Sequence, residues 1–215
     1  MGERLIRGRT LAERRQERRE ALLESALELF GTRGFATTTV DDVCRHANVS
    51  TRNFYEEYDN RLALLSALVD ELAERALHAV VAVEIPPGPD FIARRTQVRV
   101  SSLVHALVDD PRVARVMFVE TVAGWAQYPD LMTDVLGRFT RWLHQFWRDH
   151  LDRHGVPPAR QHALAVGVVG ASVALLADWV RAPGERAPVD EIVDHIVELA
   201  TVLLLLPRVG DEAAD

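Results

Sequence analysis

Between residues 39 and 55 the chain gathers side chains suited to reading a nucleic acid: Thr39, Thr51, Arg52 and Asn53, with Tyr55 beside them. A guanidinium pairs with a guanine edge, an asparagine amide with adenine, and a hydroxyl with a base or a phosphate. Thr39 stands where a short helix begins, so its hydroxyl and the free N–H groups of the first turn could hold a phosphate. Phe54 and Tyr58, four residues apart, share a face that can pack inward, which leaves Thr51, Arg52 and Tyr55 to face outward. By spacing alone the same stretch equally fits an ordinary helical hairpin with a solvated polar face.

Other chemistries find less support. His150 and His154 lie four apart on one helix face, a spacing able to bind a metal, but no third strong ligand accompanies them; an exposed pair near a helix C-terminus is the alternative. Cys44 is the single cysteine, set within a short helix, where a packing role suits it better than a nucleophilic one. There is no glycine-rich phosphate loop and no nucleophile elbow. The chain is therefore expected not to be an enzyme and to need no cofactor or metal.

Helical periodicity runs through most of the sequence, and no convincing alternating strand interrupts it. Leu23, Ala26, Leu27 and Phe30 mark one face of a first helix, expected from near Thr10 to just before Gly34. Thr39 and Asp42 have capping-box spacing for a second helix. Asn48 suits a left-handed turn, and Ser50 caps a third helix from Thr51 to about Tyr58. A fourth runs from about Arg61 and should end before Pro86-Pro87-Gly88-Pro89. Asp90 can cap the next, which reaches about Val108. Further helices are expected over 111–123, 129–154, 158–181 and 189–206.

The order Ala26-Leu27-Glu28-Leu29-Phe30, Gly34-Phe35, Thr38-Thr39-Val40-Asp41-Asp42-Val43, Ala47-Asn48-Val49-Ser50, Phe54-Tyr55, Tyr58 and Arg61 resembles the DNA-binding domain of the TetR family of bacterial transcriptional regulators. The resemblance spans about residues 20–65. It implies an all-α protein: an N-terminal three-helix helix-turn-helix domain, then a helical ligand-binding and dimerisation domain. It also implies that Tyr55 and Arg61 touch phosphates, and that the last two helices pair with their symmetry mates. Glu56 and Glu57 depart from the family pattern. A carboxylate at 57 would repel phosphate unless it points away or pairs with Arg61.

The resulting organisation is an Arg-rich arm over 1–19, the helix-turn-helix domain over 20–65, a connecting helix and Pro-rich linker over 66–89, a ligand-binding and dimerisation domain over 90–206, and a tail over 207–215. The arm's Arg4, Arg7 and Arg9 could enter a minor groove or remain a solvated tail. In the 90–206 domain, Phe118, Trp125, Trp142, Phe146 and Trp179 are expected to wall a cavity, with His105 and Gln127 as polar handles and Glu120 and Asp178 as further candidates. An aromatic stripe at helical spacing is also what a plain core looks like. Small residues Gly170 and Ala174, with Ile196, Ala200 and Leu203 on the last helix, are expected at the dimer interface.

The net charge of −7 argues against a generally basic nucleic-acid binder, but residues 1–19 hold seven Arg against three Glu, a basic end on an acidic body. All 25 Lys+Arg residues are arginine, which points to GC-rich coding more than to function, although arginine can pair with phosphate in a bidentate way. No signal peptide is evident. The charge-free stretch from Ala163 to Ala177 is shorter than the roughly 20 residues of a membrane span, so a cytoplasmic protein without a membrane partner is expected. The expected function is a ligand-responsive regulator, a repressor that binds palindromic double-stranded operator DNA as a homodimer and is released by a small apolar or aromatic effector. The alternatives are a dimeric helical interaction protein without DNA binding, or an enzyme using the helical-domain cavity.

Overall fold

A computed structural model describes residues 10–83, 91–124, 128–184 and 186–205, and among these every regular element is a helix. Helix α1 (Leu11–Thr32) starts at a reciprocal cap: Thr10 accepts from the Glu13 N–H at 3.1 Å, and its own N–H donates to the Glu13 carboxylate at 2.7 Å. It stops where Gly34 turns left-handed at φ 96°. Residues 11–19, expected to belong to an arm, are thus the first turns of α1; Arg4, Arg7 and Arg9 lie outside the described residues.

Helix α2 (Val40–Ala47) begins at the Thr39–Asp42 capping box and ends at left-handed Asn48, φ 53°. Ser50 caps α3 (Thr51–Tyr55) by accepting from the Asn53 N–H at 3.2 Å. Helix α3 is one turn shorter than expected, and Glu56 and Glu57 form a turn instead. The Tyr58 N–H still bonds the Phe54 carbonyl at 2.9 Å, which carries the Tyr58 ring inward. Asn60 caps α4 (Arg61–Val81), whose buried stripe runs from Leu64 through Leu68 and Leu72 to Ala76. This helix packs on α1 and also on α5 (Phe91–Val108), so it touches both halves of the chain.

The segment expected as one helix over 111–123 is not uniform. It consists of α6 (Pro111–Arg115), a π-helical turn (Val116–Glu120) and α7 (Thr121–Ala123). The Thr121 N–H bonds the Val116 carbonyl five residues back, and the Thr121 hydroxyl donates to that same oxygen at 2.7 Å. Such wide turns hold one residue more than an α-turn and often sit at functional positions. Helices α8 (Pro129–Arg153), α9 (Pro158–Arg181) and α10 (Val189–Leu205) match the expected spans closely. Helix α9 reaches a mean hydropathy of 2.0 over an 18-residue window, long and apolar enough by composition to cross a membrane. Here it packs against α8 and α10.

The two halves are tightly joined. Gly31 on α1 lies so near α6 that a Cβ there would come within 2.5 Å of the Arg112 Cβ. Around this contact Arg112 bonds Glu28 at 2.9 Å and Asp110 at 2.7 Å. These carboxylates hold the Arg112 guanidinium well above its ordinary pKa, Asp110 contributing most.

Candidate nucleic-acid interface and effector cavity

Helix α3 is too short to persist alone and is held by its neighbours. Phe54 is fully buried and its ring meets Tyr55 edge-on at 5.3 Å, with Tyr58 buried beside it. Thr51, Arg52 and Tyr55 face solvent, and Asn53 is half-buried. The Arg52 side chain is 89% exposed, with its Nε 3.5 Å from the Glu56 carboxylate. A surface pair of that length is weak and exchangeable, so the guanidinium is free to find another acceptor. Thr39 is exposed, but its hydroxyl already donates to Asp42 at 2.6 Å. The bonds from Thr39 hold the Asp42 carboxyl below its ordinary pKa. The start of α2 therefore carries its own carboxylate, which competes with a phosphate for that position.

One expected role on this face is corrected, and of the two ways Glu57 could avoid repelling phosphate the pair with Arg61 is not the one seen. Arg61 does not project as a free phosphate contact: its Nη1 donates to the Thr38 carbonyl, and its guanidinium lies 4.2 Å from the centre of the Phe35 ring. It braces the start of α4 against the loop before α2. Nor does Glu57 pair with Arg61. Its fully covered side chain takes hydrogen bonds from Arg15 Nε and Arg18 Nη2, both at 2.8 Å. Burial pushes the Glu57 carboxyl up, but the two arginines outweigh it and leave it below the usual range. The carboxylate that seemed to oppose DNA is an internal tie between α1 and the end of the helix-turn-helix.

Helices α5, α8, α9 and α10 and the π-turn enclose a cavity of about 80 Å³. Phe118 and Trp142 line it, as expected. Phe146 does not; it stacks behind Trp142 with ring centres 5.5 Å apart. Trp179 faces away, its indole N–H donating to the Ala187 carbonyl at 2.9 Å. His105 is corrected as a polar handle: it lies between Asp109 at 2.9 Å and Asp190 at 3.3 Å on the outer face of α5. Glu120 serves the contact between the halves, and Asp178 is exposed. Trp125 and Gln127 lie outside the described residues. The wall is completed by side chains not singled out for it, among them Val100, Leu103, Val135, Val168 and Leu176. No sequence signal separates such residues from plain core, because a cavity-facing aliphatic and a packed one share the same period. The cavity's two hydroxyls, Thr121 and Ser172, each donate to a carbonyl four or five residues back along the chain.

The π-turn joins this cavity to the DNA-reading half. Met117, Phe118 and Thr121 face the cavity. Glu120 turns the other way and accepts from the Phe35 N–H and from Arg115 Nε, both at 3.0 Å. Arg115 in turn donates to the Thr32 carbonyl at the end of α1 at 3.2 Å.

The expected dimer residues divide. Gly170 and Ala174 are exposed on α9, with Val166 at 48% on the same face and open space around Gly170. Ile196 and Ala200 are corrected: both are buried within the chain, and Ile196 lines the cavity. Leu203 is half-buried against the chain's own core. His150 and His154 stand with rings 4.3 Å apart, and among the described residues no three potential ligands gather to hold a metal.

Residues 22–68 match the family model for bacterial regulatory proteins of the tetR family, a span that contains the whole of α2 and α3. That match assigns residues 22–68 to the DNA-binding domain of the tetR family. The regulator SrpR of Pseudomonas putida is 23% identical over 188 residues, covering 86% of this chain and 85% of that protein. TtgR, also of Pseudomonas putida, is 31% identical over 108 residues, half of this chain and 51% of its own. The TetR-family fold extends over the remainder. A TetR-family regulator from Syntrophomonas wolfei superposes with a TM-score of 0.73 at 16% identity, covering 91% of this chain and 99% of that one.

Proposed function

We propose that this protein is a ligand-responsive transcriptional repressor of the TetR family that binds palindromic operator DNA as a homodimer. The observation that carries the reading is the α3 surface: Phe54 and Tyr58 anchor it, and Thr51, Arg52 and Tyr55 are presented outward. SrpR and TtgR, both named as helix-turn-helix transcriptional regulators, support it. Thr51, Arg52 and Asn53 would read bases and Tyr55 would meet a phosphate, while Thr39 could do so only by exchanging its bond to Asp42. Arg61 would act indirectly, by holding the helix-turn-helix to α4.

The exposed Gly170–Ala174 face of α9 supports dimerisation, because small residues let two helices approach closely. A helix apolar enough to span a membrane is equally suited to pairing with its own copy, and the protein is read as cytoplasmic. The alternative of an interaction protein without DNA binding rests on Glu56 and Glu57, and Glu57 is neutralised by Arg15 and Arg18.

Regulation would use the cavity. An effector that favours one arrangement of the two reading heads shifts the equilibrium away from DNA. Genome-wide mapping of bound DNA tests the reading. The expected result is a palindromic site whose half-site centres lie about 34 Å apart or a multiple of it. Binding without sequence preference at moderate salt would sink it.

A further inference from the structure

We propose that the effector is an amphipathic anion: a slender apolar chain in the cavity and an anionic head among the arginines beyond the Trp142–Phe146 stack. This rests on the cavity being the effector site, and it names the chemistry of the molecule that enters. The cavity wall presents no charged side chain, and its hydroxyls are already engaged. A volume of about 80 Å³ suits a narrow chain better than a fused ring system. Met117 and Met132 on the wall can adapt to such a chain.

The charge lies one ring away. Trp142 stacks on Phe146 with planes 3° apart. Around Phe146 sit the guanidinium of Arg95 at 4.5 Å from the ring centre and that of Arg99 at 5.2 Å. Arg99 has a buried Nε with no hydrogen-bond partner, and among the described residues no carboxylate pairs with it. Burial, and after it the charge of Arg95, lowers its pKa. A cleft of about 20 Å³ opens beside Phe146 and Arg95, lined also by Thr96, Trp147, Asp149, His150 and Arg153, and Arg99 stands over the Phe146 ring next to it. Trp147 is 2% exposed and its indole N–H is unpartnered. The cleft's acid, Asp149, is 91% exposed and lies 4.0 Å from Arg148.

A guanidinium with an unmet donor, crowded by a second positive charge in partly dry surroundings, is costly until an anion joins it. A carboxylate head meets that need, and a cationic head would be repelled. Trp142 lines the cavity and Phe146 lines the cleft, so the stacked pair stands between the two spaces and would have to shift for one ligand to span both.

Calorimetric titration of the full chain with octanoate, octan-1-ol and octylammonium separates the possibilities, since the three share one chain length and differ in head charge. Octanoate should bind at least tenfold more tightly than octanol, and octylammonium should be weakest. Arg99→Gln should erase the preference for octanoate while leaving octanol binding unchanged, and Arg99→Lys should retain part of it. Octanol binding as tightly as octanoate, or an octanoate preference that survives Arg99→Gln, overturns the anionic head and leaves the apolar cavity standing. Binding by none of the three overturns both. Should Arg99→Gln fail to fold, the order of the three ligands on the unaltered protein decides alone.

Discussion

At the scale of single residues, the charges near α3 have opposite fates. Arg52 extends into solvent, so its removal changes what the protein touches and little else. Arg52→Ala should leave the melting temperature unchanged and cost ~1–3 kcal/mol of specific DNA binding. Equal loss on operator and random DNA in fluorescence anisotropy would make it a phosphate contact. Glu57 is the reverse, a covered carboxylate whose value is structural. Its folded-state pKa is depressed, so its stabilising contribution is present above the unfolded carboxylate value of about 4.3 and is lost as pH falls through the folded value. Thermal denaturation of Glu57→Gln should show lower stability than the unaltered protein at neutral pH. The gap should narrow below about pH 4, and a constant gap across that range would refute the pairing. The partners of Glu57 lie 39 and 42 residues away, which is why the sequence does not reveal them: local spacing fixes a helix face and is silent on which distant side chain meets it. The bracing role of Arg61 is hidden for the same reason.

At the scale of elements, what is legible in the sequence is whatever local chemistry decides. The boundaries of α1, α2 and α9 follow from Thr10, the Thr39–Asp42 box, Asn48 and Pro158, whose effects reach only one turn. The π-turn is invisible because a wide turn leaves the apolar period of a short segment nearly intact; it is fixed by Thr121 reaching back to Val116. The close approach of α1 to α6 is equally hidden, since it shows only as one glycine, Gly31, inside a good helix. Gly31→Ala would drive a methyl into the Arg112 Cβ and backbone. Overpacking of this kind costs about 1–3 kcal/mol. A lowered melting temperature should therefore accompany weaker operator binding, and a variant as stable as the parent would mean that the helices part easily.

At the scale of the whole molecule, the proposed dimer rests on the α9 face, which would hold two reading heads at a fixed spacing. Gly170→Glu places a charge on that face without touching the chain's own core. It should give a folded monomer by sedimentation and circular dichroism, with operator affinity reduced at least tenfold. Ala200→Glu, which buries a charge within the chain, should instead unfold it. A dimer that persists in Gly170→Glu would move the interface elsewhere.

The surplus residue of the Val116–Glu120 turn has a genetic consequence. Removing one codon from a helix ordinarily swings everything after it by about 100°. Inside the wide turn the same lesion can be absorbed, because the ladder closes into an unbroken α-helix. Met117 and Phe118 would then no longer hold their present angle to Glu120, whose carboxylate fastens the end of α1. A strain carrying such an in-frame deletion should still silence a reporter placed behind the operator, yet fail to release it when inducer is supplied. Mutant screens for uninducible alleles should therefore recover single-residue deletions in this turn, and not in the unbroken stretches of α8 or α9.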